Sequence, residues 1–97
     1  MTTPDFLLEV NNTIEIYEDA IGNFAHRTRQ MIDNHGAVEA LSRLEVSPDL
    51  QKGFKVLRNR GQLNCTFESV IVRNSALFRK DVVAAAQWRI DNANNLL

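Results

Sequence analysis

Residues 7–31 read LLEVNNTIEIYEDAIGNFAHRTRQM, and this stretch decides the fold because its apolar residues recur at alternating spacings of three and four. Such a spacing places them along one side of an α-helix. The stripe consists of Leu7, Val10, Ile14, Tyr17, Ile21, Phe24, Thr28 and Met31. The pattern therefore predicts a long amphipathic helix with one face suited to packing against other apolar surface.

The length of this helix raises a question about its surroundings. Thr2 or Thr3 can cap its start, Pro4 suits its first turn, and Gly36 suits the left-handed conformation that often ends a helix. An unbroken helix of thirty residues would be about 45 Å long, whereas a compact monomer of this size should be roughly 30–35 Å across. Either the helix breaks near Gly22, where glycine costs about 1 kcal/mol relative to alanine, or it protrudes and is covered by another subunit. We favour the protruding helix.

The apolar area of the stripe predicts self-association. Each fully buried large apolar side chain contributes about 1.5–3 kcal/mol, and short helices elsewhere in the chain can cover only part of the stripe. Burying the remaining apolar residues in an interface would contribute more free energy than association costs. We therefore expect a homodimer formed through Leu7, Val10, Ile14, Tyr17, Ile21, Phe24 and Met31.

Shorter helices are predicted for the rest of the chain. Apolar spacing and turn residues indicate helices over residues 37–44, 48–59 and 79–92, the second of them capped by Ser47. A further short helix begins after Asn64 or Thr66, although residues 70–72 are also compatible with a strand. The expected fold is one all-α domain, residues 1–97, with four to five helices. Residues 1–35 form the long dimerisation helix and residues 36–97 a compact cluster of short helices.

The segment from Gly36 onward resembles a small helical pattern that recurs in bacterial proteins without a known activity, many from mobile or accessory genes. The likeness covers about 60 residues and runs through G-A-V-E-A-L-S-R-L, S-P-D-L-Q-K-G-F-K-V-L, G-Q-L-N-C-T-F-E-S-V-I-V and L-F. It implies structural positions alone: caps at Ser47 and Thr66, and core residues Leu44, Phe54, Leu57 and Leu63. It transfers no functional residue.

Composition excludes several classes of protein. The chain has 97 residues and a formal net charge of −1, which argues against a dedicated polyanion binder. A single cysteine, Cys65, cannot form an internal disulfide. No stretch approaches the ~20 apolar residues of a membrane span, and the first residues lack the basic character of a signal or transit peptide. We expect a cytoplasmic protein.

Catalytic chemistry has little support in the sequence. His26, His35 and Cys65 do not have the pairing of a zinc site, and the four glycines never cluster into a phosphate-binding loop. The pattern of acidic residues does not separate a carboxylate pair for acid–base catalysis from the solvated face of the first helix. No catalytic, cofactor-binding or metal-binding residue is assigned, and we expect a non-enzymatic protein.

Charge is distributed unevenly along the chain. Residues 1–20 contain five acids and no base, whereas residues 52–80 contain seven bases and one acid, Glu68. The two blocks can pair within one chain or across a dimer. Lys52, Lys55, Arg58 and Arg60 can also form a basic surface for a phosphate backbone, near a helix–turn–helix-like stretch. DNA or RNA binding is therefore the alternative function, and an accessory or phage-like protein that modulates a larger complex is the favoured one.

Three further residues are candidates for contact with an unknown partner. Trp88 points away from the apolar stripe of the last helix, and tryptophan is enriched at binding hot spots. The alternative is that helix 1 covers this face of the last helix. Arg79 and Lys80 place two cations at a helix amino-terminus, which is locally unfavourable and indicates an interaction surface.

Overall fold

The computed structural model describes residues 4–44 and 48–93, and for residues 48–52 it describes the backbone without the side chains. The described residues form six α-helices and no strand. They are α1 (Pro4–Ile21), α2 (His26–His35), α3 (Ala37–Leu44), α4 (Pro48–Asn59), α5 (Phe67–Arg73) and α6 (Lys80–Asp91), with 3-10 turns at Leu63–Cys65 and Ser75–Leu77. The all-α prediction is confirmed, whereas the caps predicted at Thr2, Thr3 and Ser47 lie outside the described residues.

The prediction of one continuous first helix is wrong. Gly22 adopts a left-handed conformation with a φ of +69°, and its N–H donates to the Glu18 carbonyl at 2.9 Å. The Glu18 carboxylate then joins the two helices, because it accepts from the Ala25 N–H at 2.8 Å and from Arg29 Nη2 at 2.7 Å. With this break the described residues form six helices, more than the predicted four to five. The longest dimension of the molecule is 34 Å, which leaves no room for a 45 Å helix.

The inner face of α1 forms the centre of the core. Phe6, Val10, Ile14 and Tyr17 are all at most 7% exposed. The Tyr17 ring meets the edge of Phe67 at 5.6 Å between centroids, and it lies so close to Gly53 that an added Cβ would overlap it. Helices α1 and α4 can approach this closely only because residue 53 has no side chain.

Helices α5 and α6 pack against each other around a buried ion pair. Glu68 is 1% exposed, and its Oε2 accepts from Arg89 Nη1 at 2.6 Å. Burial raises the pKa of Glu68, although the Arg89 hydrogen bond opposes that effect. The second carboxylate oxygen, Oε1, is buried and has no hydrogen-bond partner within the described part of the chain.

Several local predictions for the second half of the chain are confirmed. Thr66 caps α5 by accepting from the Ser69 N–H at 3.2 Å, and residues 70–72 are helical rather than extended. The predicted core residues Leu44, Phe54 and Leu57 are at most 4% exposed. Leu63 is only half-buried.

Candidate protein-binding site

The predicted dimer stripe is largely covered by the chain's own helices. Val10, Ile14 and Tyr17 belong to the core, so they are not available to a second copy and this part of the predicted interface is corrected. Ile21 and Met31 are half-buried, and Leu7 and Phe24 remain exposed. The physical reason is that α4 and α5 pack against α1, where the Tyr17 ring lies against Gly53 of α4 and Phe67 of α5. Dimerisation itself stays a prediction.

The outer side of α1 borders a shallow groove that sequence reasoning missed. Leu8, Asn12 and Ile16 follow one another at a spacing of four and so line up along the helix. Two hollows of about 400 and 480 Å³ lie beside this line and share Asn12 and Ile16. The far wall of the first hollow is formed by Asn64, Cys65 and Arg73, and that of the second by Gln62. We call this surface the α1 groove. Leu8 is 60% exposed, whereas Ile16 is half-buried, so Leu8 is the more available of the two apolar side chains in this line.

Carboxylates line the α1 side of the α1 groove. Asp5, Glu15 and Asp19 are exposed and line one or the other hollow. Glu9 is held by Arg73 Nε at 2.9 Å and by the Asn74 side-chain amide at 2.7 Å. Four of the five acids in the first twenty residues therefore lie along one surface, whereas Glu18 pairs with Arg29 at the α1–α2 junction.

The two charge blocks meet partly within one chain. Glu9 pairs with Arg73, and Asp19 lies 3.4 Å from Arg60 Nη2. Pairing within the chain was one of the two alternatives left open by the sequence. Exposed pairs of this kind contribute about 0–1 kcal/mol, so Asp19 can exchange Arg60 for a cation on a partner at little cost.

The predicted basic residues do not form one continuous surface among the described side chains, because they lie at separate places in and beside α4 and α6. The side chain of Lys52 lies outside the described residues, and Lys55 is half-buried. Arg58 Nη1 donates to the Ala93 carbonyl at 2.8 Å and so holds the end of α6 against α4. Lys80 lies at the opposite end of α6, about 18 Å along a 12-residue helix. Arg79 stands there too, 3.3 Å from Asp81.

Trp88 lies on the solvent side of α6. It is 57% exposed, which confirms its predicted place off the core stripe and shows that α1 does not cover it. Ala84, one turn earlier, is also exposed. It borders a hollow of about 450 Å³ whose other lining residues are Ser75, Ala76, Phe78, Lys80, Val83 and Gln87. We call the surface formed by Lys80, Ala84, Trp88 and Asp91 the α6 outer face.

A further hollow of about 450 Å³ lies at the junction of α1 and α2. The exposed Phe24 ring stands at its edge, with the His26 ring 4.4 Å away and the Arg29 guanidinium 5.0 Å away. The charge of Arg29 is already matched by Glu18. The walls combine apolar side chains with the polar side chains of Asn23, His26, Arg27 and Thr28.

The described residues contain neither a metal-binding cluster nor a membrane-spanning helix. Among residues 4–44 and 48–93 no cluster of three or more histidine, cysteine or acidic side chains could hold a metal ion. No helix in that part of the chain combines the length and apolar character that crossing a bilayer requires. No family model, no curated protein and no solved structure matches the sequence.

Proposed function

We propose that this protein is a non-enzymatic binding module whose α1 groove takes a basic, partly apolar helical segment of another protein. The observation that carries the proposal is the combination of an exposed apolar residue, Leu8, with the carboxylates of Asp5, Glu15 and Asp19 on one surface. An accessory protein that attaches to and modulates a larger complex would use such a surface.

The dimensions of the groove suit a helix. Leu8 and Ile16 are two turns apart, about 12 Å along α1, which matches apolar residues spaced by seven or eight on an incoming helix. Amphipathic helices commonly bind hydrophobic grooves through such anchors. Burial of Leu8 would supply affinity, while the surrounding carboxylates would select basic partners and accelerate their encounter.

Nucleic-acid binding has less support. Arg58 binds the end of α6 and Arg60 lies beside Asp19, so both cations have neighbours within the chain. Arg79 and Lys80 lie at the far end of α6, and the α1 groove, which contains the exposed Leu8, is lined by Asp5, Glu15 and Asp19. A phosphate backbone would be repelled from that groove.

Fluorescence anisotropy with a designed probe tests the proposal. The probe is an 18-residue helical peptide with leucines at positions i, i+4 and i+7 and lysines on the flanking positions, compared with a scrambled peptide of the same composition. Leu8→Asn should weaken binding of the helical probe about tenfold, since one large apolar contact is worth roughly 1.5 kcal/mol. Glu15→Lys should weaken it at low salt and have less effect at high salt.

Leu7→Asn is the matched control. Leu7 is 46% exposed and precedes Leu8, but it does not line the groove, so its replacement should leave the affinity unchanged. Equal binding of the scrambled peptide, or equal losses at Leu7 and Leu8, would contradict the proposal. Salt-sensitive binding of duplex DNA that Lys52→Glu with Lys55→Glu abolishes would favour the nucleic-acid alternative instead.

A further inference from the structure

We propose that the α6 outer face binds a second copy of this chain, with the two α6 helices antiparallel about a two-fold axis. Trp88 of each copy would enter the hollow beside Ala84 of the other. No residue of the α1 groove takes part, so this inference is independent of the proposed function. It keeps the homodimer predicted from the sequence and moves it from α1 to α6.

The shape of the face is self-complementary. Trp88 is a large exposed side chain and Ala84, one turn before it, is a small one beside a hollow of about 450 Å³. A two-fold axis that crosses α6 near residue 86 places Trp88 of one copy over Ala84 of the other, and the reverse. An interface of this kind uses the same patch twice and closes at two subunits.

Charge at the ends of the face selects the antiparallel arrangement. Lys80 and Asp91 are both exposed, and at 100° per residue they lie on the same side of the helix as Ala84. The axis that pairs residue 88 with residue 84 brings Lys80 of one copy towards Asp91 of the other. A parallel arrangement would instead place Lys80 against Lys80. Opposite charges that meet across an interface favour one orientation over others.

The size of the face indicates a weak dimer. The paired surface is essentially one helix of 12 residues, about 18 Å long. It therefore buries less than the ~800 Å² per partner of a standard stable interface. We expect a dissociation constant on the order of 10–100 μM, so that the monomer predominates in dilute solution and the dimer in concentrated solution.

Sedimentation equilibrium across a range of concentrations tests this inference. The apparent mass of the wild type should rise from 11.0 kDa towards twice that value between about 5 and 500 μM, a range that brackets the expected constant. Fluorescence of Trp88, the only tryptophan, should shift to shorter wavelength over the same range. Trp88→Ala should weaken dimerisation at least about tenfold, as expected for a hot-spot residue, with an unchanged helical circular-dichroism spectrum.

A charge-reversal series distinguishes this dimer from other modes of association. Lys80→Asp and Asp91→Lys should each weaken the dimer, and the two together should restore it, because each reversed pair again joins opposite charges. Leu8→Asn should leave the mass unchanged, which separates this test from that of the α1 groove. A wild type that stays monomeric throughout, a dimer that survives Trp88→Ala, or a double variant no better than the singles would overturn the inference.

Discussion

Helices α1 and α6 differ in where their largest apolar side chains lie. The regular stripe of α1 is turned inward, where Val10 and Ile14 are 3% and 2% exposed. Helix α6 buries Val82 and Ala86 but leaves Trp88, its largest apolar side chain, 57% exposed. Between Val10 and Tyr17 the regular spacing marks surface that the chain covers by itself, whereas Leu7 and Phe24, at the two sides of this stretch, remain exposed. A large apolar residue that departs from the spacing marks surface left for another molecule, and Leu8 follows the same rule on α1.

The largest expected effect comes from a charge on the inner face of α1. Ile14→Glu would place a carboxylate at a position that is 2% exposed, where an unpaired charge costs several kcal/mol. Because small domains are stable by only about 5–15 kcal/mol, we expect this variant to lose its cooperative thermal transition. Circular dichroism during heating measures it.

Leu8→Glu is the control for that experiment, since it introduces the same charge on the same helix but on the outer side. Surface substitutions usually change stability by no more than about 0.5 kcal/mol, so its melting temperature should match that of the wild type. A folded Ile14→Glu protein that has lost a dimer would contradict this assignment. It would return Ile14 to an interface, as the stripe alone predicts.

The second effect concerns the inner face of α6. Arg89→Met would remove the ion-pair partner of the buried Glu68, and breaking such a pair costs about 3–5 kcal/mol. Burial already holds the pKa of Glu68 above its ordinary value, and the loss of Arg89 raises this pKa further. Below the unfolded pKa of about 4.3 both states are protonated and the penalty is absent. The loss of stability grows as the pH rises from this value towards the pKa of Glu68 in the folded protein. Urea denaturation at pH 4.5 and pH 8 should therefore show the larger loss at pH 8.

Arg89→Met combined with Glu68→Gln provides the control, because it has no buried carboxyl group to titrate. Its loss of stability relative to the wild type should depend less on pH. The Glu18 carboxyl group has the opposite pH dependence, because the Arg29 hydrogen bond lowers its pKa. Its contribution to the stability of the folded protein is therefore lost as the pH falls. That contribution is common to all three proteins and cancels in the differences. An equal pH dependence of the single and double variants would exclude Glu68 as its source.

Local patterns were sufficient to predict most of the helices. Helix α3 follows from apolar spacing, and the start of α5 follows from Thr66, whose side chain accepts from the Ser69 N–H only three residues away. Such signals lie within a few residues of the structure that they determine. The prediction at Gly22 was wrong because Phe24 and Thr28 continue the apolar spacing across the break. Periodicity records which residues are apolar, but it does not record whether the chain reverses direction between them.

The candidate sites depend on contacts between distant segments, so the sequence reveals them only in part. The α1 groove exists because Cys65 and its neighbours lie beside α1, and Glu68 pairs with a residue 21 positions later. One usable signal was present: Leu8 and Ile16 are apolar residues on the acidic side of the predicted helix. Trp88 was identified because a single helix suffices to show that it lies off the stripe.

A smaller effect is expected where α1 approaches α4. Gly53→Ala would add a Cβ that overlaps the Tyr17 ring, and overpacking of this kind costs about 1–3 kcal/mol. The helix propensity of alanine returns up to about 1 kcal/mol. We therefore expect a net loss of stability in chemical denaturation. In a Tyr17→Leu background the overlap is relieved, so the same substitution should cost less or become favourable. An equal cost in both backgrounds would exclude the ring as its origin.

The smallest effect concerns the residue that ends α1. Gly22 has a φ of +69° and no atom within 4 Å of an added Cβ, so Gly22→Ala is penalised by backbone conformation alone, by about 1–2 kcal/mol. The melting temperature should fall by several degrees. Gly22→Asn should cost less, because asparagine tolerates the left-handed region better than alanine. A rise in stability with alanine would have the opposite meaning, since alanine strengthens a continuous helix. It would indicate that α1 and α2 form one long helix in solution and expose the stripe to a second subunit.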